Sequence, residues 1–108
     1  MEIWQKMPYT IFMTWKVYFS EKASKQAKKQ GKRIISILDL LMEDLKQNGP
    51  APGKAWPNYG KLGGKKTDIR HCHLTKGKPT YVCCWQLMDK KQKIIEVTYV
   101  GTHEKAPY

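Results

Sequence analysis

The sequence predicts an α+β fold: an antiparallel sheet in the order β-α-α-β-β-β, with two N-terminal helices packed on one face. An apolar stripe with helical spacing occupies residues 33–47. Short segments of alternating or β-branched residues, separated by turn sequences, fill the C-terminal third. A chain of 108 residues has room for one domain with one core.

The N-terminal half predicts one strand and the first helix. Residues 1–13 contain aromatic residues without periodicity, and we interpret them as an extension that precedes a domain at residues 14–108. Residues 15–19 alternate apolar and polar side chains, which indicates a strand. Ser20 can cap a helix over residues 21–30, whose lysines form either a solvated face or a nucleic-acid contact surface.

The second predicted helix, at residues 33–47, should supply the core against the sheet because its apolar stripe is broad. Asn48-Gly49-Pro50 is a helix stop, with Gly49 expected in the left-handed αL conformation. Residues 51–66 contain Trp56 and Tyr59 among glycines and prolines, which favours an ordered loop over a free linker.

Three further strands are predicted to form an antiparallel meander. In residues 67–74 the alternation puts Ile69, His71 and His73 on one face and Arg70, Cys72 and Leu74 on the other. Residues 80–88 are apolar on both faces, as expected of a central strand. The last strand, residues 94–100, stops at Gly101 and is followed by a polar tail.

The charge of +11, from 20 lysines and arginines against 9 acidic residues, favours a polyanionic partner such as RNA, DNA, an anionic membrane surface or an acidic protein. No apolar run is long enough to span a bilayer and no signal-peptide pattern opens the chain, so we expect a cytoplasmic protein without a membrane partner. Three cysteines, two of them adjacent, fit reduced thiols on buried strands. Their spacing lacks a zinc pattern, and no metal or other cofactor is expected.

All three histidines lie in the last third of the chain, and His103 shares the polar tail with Lys105 and Tyr108. Imidazoles exchange protons near neutral pH, so His71 or His73 could act with His103 as acid and base on a phosphate in a basic groove. An outward histidine on a half-exposed strand is more often only a surface residue, and Tyr108 could equally be a frayed end or a ring that stacks on a base.

These residues resemble the RelE/ParE superfamily of type II toxins, in particular its ribosome-associated mRNA interferases. The resemblance covers residues 15–108 and rests on the element order, the loop segment at residues 59–62, the central strand at residues 81–87 and the ending at residues 100–108. The resemblance implies a toxin that an antitoxin holds inactive. It also implies that the toxin is an endoribonuclease, which cuts mRNA by 2′-hydroxyl attack. The cut would be made in the ribosomal A site, where the toxin would also contact 16S rRNA.

The resemblance also implies roles for individual residues. His103 would be the general acid, His73 the favoured base, Lys61 a phosphate ligand or base, and Tyr108 a residue that orients the substrate. We further expect RNA contacts from six basic residues: His71, Arg70, Lys65, Lys66, Lys78 and Lys105.

One departure from the family pattern concerns arginine. Where many of these toxins have an arginine on the central strand, this chain has Val82 and Cys83, and its only arginines are Arg33 and Arg70. A ParE-like toxin that acts on DNA gyrase, and a non-catalytic basic RNA-binding module, therefore stay open as alternatives.

Overall fold

The computed structural model describes residues 14–53, 55–63 and 66–108, and the predicted N-terminal extension lies outside them. The helices are α1 (Glu21–Lys28) and α2 (Lys32–Asn48). The strands are β1 (Lys16–Phe19), β2 (Gly60–Lys61), β3 (Asp68–His73), β4 (Tyr81–Asp89) and β5 (Ile94–Thr102). A 3₁₀ turn, His103–Lys105, follows β5 directly.

The described strands form one sheet in the order β1-β5-β4-β3-β2, with β4 at its centre. β1 runs parallel to β5, and the other neighbours are antiparallel. The predicted α+β fold with two helices on one face is confirmed. The interpretation of residues 51–66 as a loop without a strand is corrected, because two of its residues pair with β3 as the edge strand β2.

Both helices begin and end close to the predicted residues. The Ser20 hydroxyl accepts a hydrogen bond from Ala23 N–H at 3.0 Å, which caps α1. Gly49 ends α2 with a φ of 82° and a ψ of −161°, so its φ is positive as expected but its conformation is not αL. Its backbone lies against the Trp15 ring, where an added Cβ would stand 2.9 Å from the indole. Glycine therefore serves both the turn and the packing at this point.

The main core lies between the sheet and the helices. Trp85 of β4 is fully buried there beside Leu41 and Leu45 of α2, and its indole N–H donates to the Pro50 carbonyl at 3.0 Å. Cys72 and Cys83 are buried in the same layer. Burial of this apolar area, at about 25 cal/mol per Å², stabilises the packing of the sheet against α2. Neither of the two described α-helices covers the other face of the sheet.

That second face, which we call the open face, has a small cluster of its own, made by Val82, Cys84 and Tyr99. Tyr99 reaches it because the register between β4 and β5 shifts: Trp85 pairs with Val97, whereas Cys84 pairs with Tyr99. Thr98 is the extra residue of this bulge. Without the bulge, Val97 and Tyr99 would share a face, so the shift decides which side chains stand beneath the C-terminal tail.

Candidate nucleic-acid site

The open face presents two histidines from β3. His71 pairs with Cys84 and His73 with Val82, and this part of the register is regular. Cys72 between them belongs to the core on the helix side, so both imidazoles lie on the open face, as the alternation predicts. Their positions are fixed by a sheet whose centre is fully buried.

The tail, residues 103–108, turns back over this face. His103 N–H donates to the Thr80 carbonyl at 2.7 Å, and the Tyr99 hydroxyl donates to the Thr102 carbonyl at 2.7 Å. Gly101 permits the second contact, since a Cβ there would stand 2.6 Å from the tyrosine oxygen. These contacts bring the end of the chain beside β3.

Four rings meet as a result, and we call them the imidazole cluster: His71, His73, His103 and Tyr108. The ring centroids of His73 and His103 are 5.3 Å apart, and those of His71 and His73 are 6.5 Å apart. Tyr108 lies 4.7 Å from His71 and 5.6 Å from His103, and 46% of its surface is exposed. Side chains distant in sequence thus form one accessible group.

The environment of the cluster favours uncharged rings on β3. The pKa of His71 is lowered mainly by burial and to a smaller extent by the charges of His73 and His103. The pKa of His73 is likewise lowered mainly by burial and to a smaller extent by the charge of His103. Within the described residues the buried Nδ1 of His71 has no hydrogen-bond partner. A histidine with a lowered pKa is neutral near pH 7, which is the state that accepts a proton.

Two neighbouring groups also stay protonated. Burial raises the pKa of Cys84 to about 12, so the thiol beside His71 is not a thiolate near neutral pH. Burial is also the main cause that raises the pKa of Tyr108, whose phenol can therefore donate a hydrogen bond to a phosphate or stack on a base.

The lowered histidine pKa values predict a pH-dependent stability. Unfolded histidines titrate near about 6.5, and these two bind protons less readily when folded. Their contribution to stability is therefore complete above that value and is lost as the pH falls through the lower folded-state values. Urea unfolding at a series of pH values should show the free energy of unfolding rising with pH in this window. The double variant His71→Gln with His73→Gln should show a smaller rise, and an equal rise in both proteins would contradict the assignment.

Two of the other predicted site residues lie apart from the cluster. Lys61 pairs with Arg70, whereas Gly60 is the residue of β2 that stands beside His71. The Lys61 side chain therefore lies on the side of Arg70. Arg70 itself donates to the Asp68 carboxylate at 2.8 and 2.9 Å and to the Tyr59 hydroxyl at 2.9 Å. Its ion pair lowers the pKa of Asp68, and its guanidinium points away from the open face.

The predicted RNA-binding lysines are spread over both ends of the sheet. Lys78 lies two residues before Thr80, whose carbonyl accepts a hydrogen bond from His103 N–H. Lys105 ends the 3₁₀ turn that begins at His103. Lys66 precedes β3, at the end of that strand opposite to His73. Lys65 lies outside the described residues. Of the predicted lysines, Lys78 and Lys105 thus belong to the segments that adjoin His103.

Among the described residues, no group of three or more His, Cys, Asp and Glu side chains is arranged to hold a metal ion. The same residues contain no helix that is long and apolar enough to cross a bilayer. The arrangement offers proton donors and acceptors and nearby cations, which is what transfer of a proton to and from a phosphodiester requires.

Sequence reasoning missed the residues that place the tail. Tyr99 was expected only as an apolar strand residue, and nothing local in the sequence marks the bulge at Thr98. Gly101 after a β-branched strand was a signal for close backbone approach, but its partner could not be named without the register.

Comparison of the sequence with protein-family models and with curated proteins finds no match. Solved structures do match. An archaeal RelE-RelB complex from Pyrococcus horikoshii OT3 aligns with a TM-score of 0.69 and 19% identity, over 87% of this chain and 100% of the other. A metal-bound toxin from Helicobacter pylori gives 0.64 and 20%, over 84% and 97%. A double arginine-to-alanine mutant of the E. coli toxin RelE in the free state gives 0.62 and 20%, over 87% and 88%.

Proposed function

We propose, from the RelE-like toxin fold of this chain, that it is the toxin of a type II toxin-antitoxin pair and an endoribonuclease that cuts mRNA in the ribosomal A site. The observation that supports nuclease activity is the imidazole cluster on the open face, in which the rings of His73 and His103 are 5.3 Å apart. The fold by itself does not require a histidine on β3 to lie beside His103, so this pair is evidence for a site rather than for the fold.

The proposed reaction needs only side chains of the cluster and the RNA itself. His73, neutral because burial lowers its pKa, removes the proton of the ribose 2′-hydroxyl, and that oxygen attacks the adjacent phosphorus. The bond from phosphorus to the 5′ oxygen breaks, and His103 gives this oxygen its proton. The products are a 2′,3′-cyclic phosphate and a 5′-hydroxyl, with no change in oxidation state.

Other residues would bind and orient the RNA. Tyr108 lies against both His71 and His103, where its ring can stack on a base or its phenol can contact the phosphate. Lys78, two residues before the Thr80 carbonyl that accepts from His103 N–H, would stabilise the charge on the phosphorane, and Lys105, at the end of the 3₁₀ turn, would contact a neighbouring phosphate. Lys61 lies on the other side of β2, so a contact with RNA would come from the edge of the sheet.

The proposed protein partner is an antitoxin. The Pyrococcus structure is a complex of RelE with RelB, and the surface of this chain is strongly basic, with a charge of +11. An antitoxin with an acidic segment over the open face would exclude RNA from the cluster through charge complementarity.

The test is incubation of the protein with translating ribosomes, followed by mapping of the new 5′ ends of the mRNA. We expect cuts within the codon in the A site, with 5′-hydroxyl ends. Uncut mRNA would contradict the proposal. Inhibited gyrase in a parallel supercoiling assay would then identify a ParE-like toxin, and bound but intact RNA without gyrase inhibition a basic RNA-binding module.

A further inference from the structure

A second basic surface lies beside the tail, on the side away from the imidazole cluster. A cleft of about 510 Å³ separates α1 from the end of β5 and the 3₁₀ turn. From α1 it is lined by Lys22, Gln26, Lys29 and Gln30, and from the tail by Glu104 and Lys105. We call it the α1–tail cleft. The sequence left open whether the lysines of α1 form a solvated face or a nucleic-acid contact surface.

The cations of this cleft form no ion pair with any residue that the structure describes. Ion pairs of the described residues join Lys25 to Glu21, Lys46 to Glu43 and Arg70 to Asp68. Lys22, Lys29 and Lys105 take part in none of them, although they stand around one concave surface. Among the described residues of the lining, Glu104 is the one acidic residue, so these residues carry an excess of positive charge. The occupant of the cleft should be an anion.

A fixed hydrogen-bond donor adds to the charge. The Gln26 side-chain oxygen accepts from Val100 N–H at 3.0 Å, and Gln30 donates to the Gln26 carbonyl at 3.0 Å. The first contact sets the orientation of the Gln26 amide, and its NH₂ group has no partner among the described residues. Amide and ammonium donors around one cleft match the oxygens of a phosphate group.

The cleft is separated from the proposed site of cleavage only by the short 3₁₀ turn. His103 begins the 3₁₀ turn and Lys105 ends it, a rise of about 4 Å along the axis. An RNA chain whose phosphate lies at His103 can therefore pass around the turn and place a neighbouring phosphate between Lys105 and α1.

We propose that the α1–tail cleft binds the phosphodiester backbone of single-stranded RNA next to the scissile phosphate. This inference rests on the proposed nuclease function for its substrate, but it concerns binding and can be tested without cleavage. Each lysine that neutralises a phosphate of a single strand contributes about 0.7 to the slope of log K against log salt concentration.

The probe is a 2′-O-methyl oligonucleotide of roughly 16 nucleotides, which the protein cannot cleave because the 2′ oxygen is blocked. The cleft variant is Lys22→Gln with Lys29→Gln. The matched control is Lys90→Gln with Lys91→Gln, which removes equal charge from the turn after β4, at the opposite end of that strand. Binding is measured by fluorescence anisotropy across a salt series.

We expect the cleft variant to lower the salt slope by about 1.4 and the affinity on the order of tenfold near 0.1 M salt, whereas the control should change both little. Glu104→Gln should raise the affinity. Equal losses in the cleft and control variants, or wild-type protein that does not bind the probe, would overturn the inference. A cleft that binds an acidic protein segment instead of RNA would also give such a result. The nuclease function is tested separately, by the cutting of mRNA on ribosomes.

Discussion

Replacement of His103 by alanine should reduce the rate of mRNA cleavage by about 10²- to 10⁴-fold, the usual contribution of a general acid or base. The imidazole is the part of the residue that meets His73 and Tyr108. The backbone contacts of His103, to the Thr80 carbonyl and from Ala106 N–H, persist in the variant. The measurement is a single-turnover rate on programmed ribosomes.

The control for this prediction is Lys90→Ala, in the turn that follows β4. Its side chain is exposed and has no part in the proposed proton transfers, so its cleavage rate should stay near that of the wild type. Thermal unfolding should show both variants folded, because neither side chain belongs to the core. A cleavage rate of His103→Ala equal to that of the wild type would show that His103 is not the general acid.

Replacement of Gly101 by alanine should both destabilise the protein and slow cleavage. The new Cβ would stand 2.6 Å from the Tyr99 hydroxyl oxygen and 2.9 Å from the ring carbon that bears it. Tyr99 is buried and donates to the Thr102 carbonyl, so either its ring or the start of the tail must move. Overpacking of this kind costs about 1–3 kcal/mol. Urea unfolding and the cleavage rate are the two measurements.

A matched control and a double variant make this prediction specific. Gly77→Ala places its Cβ in open space and should leave the free energy of unfolding unchanged within about 0.5 kcal/mol. Tyr99→Phe removes the oxygen with which the new Cβ of Gly101→Ala would clash. The double variant should therefore lose less free energy of unfolding than the two single variants lose together. Additive losses would show that this contact does not position the tail.

The elements of the fold could be predicted because each has a local cause in the sequence. The stripe of α2 and the alternation of β3 depend only on spacing within one element, and both were confirmed. The same alternation put His71 and His73 on one face and Arg70 on the other. It could not reveal β2, since a strand of two residues has no periodicity of its own.

The geometry of the site depended on features without a local signal. Whether His103 meets His73 follows from the bulge at Thr98 and from the contact of Tyr99 with Thr102. The α1–tail cleft joins Gln26 of α1 to Val100 of β5, which is 74 residues further along the chain, and only their packing reveals it. The placement of Lys61 on the Arg70 side likewise follows from the register of an edge strand rather than from spacing.

The central claim is that this cluster cleaves RNA through the 2′-hydroxyl of the substrate. Ribosomes can be programmed with a short message in which the nucleotide on the 5′ side of the mapped cut has a 2′-deoxyribose, with the all-ribose message as control. We predict that the wild-type protein cuts the control message and leaves the substituted bond intact, because the attacking oxygen is missing. Cleavage of both messages at that bond would contradict the account.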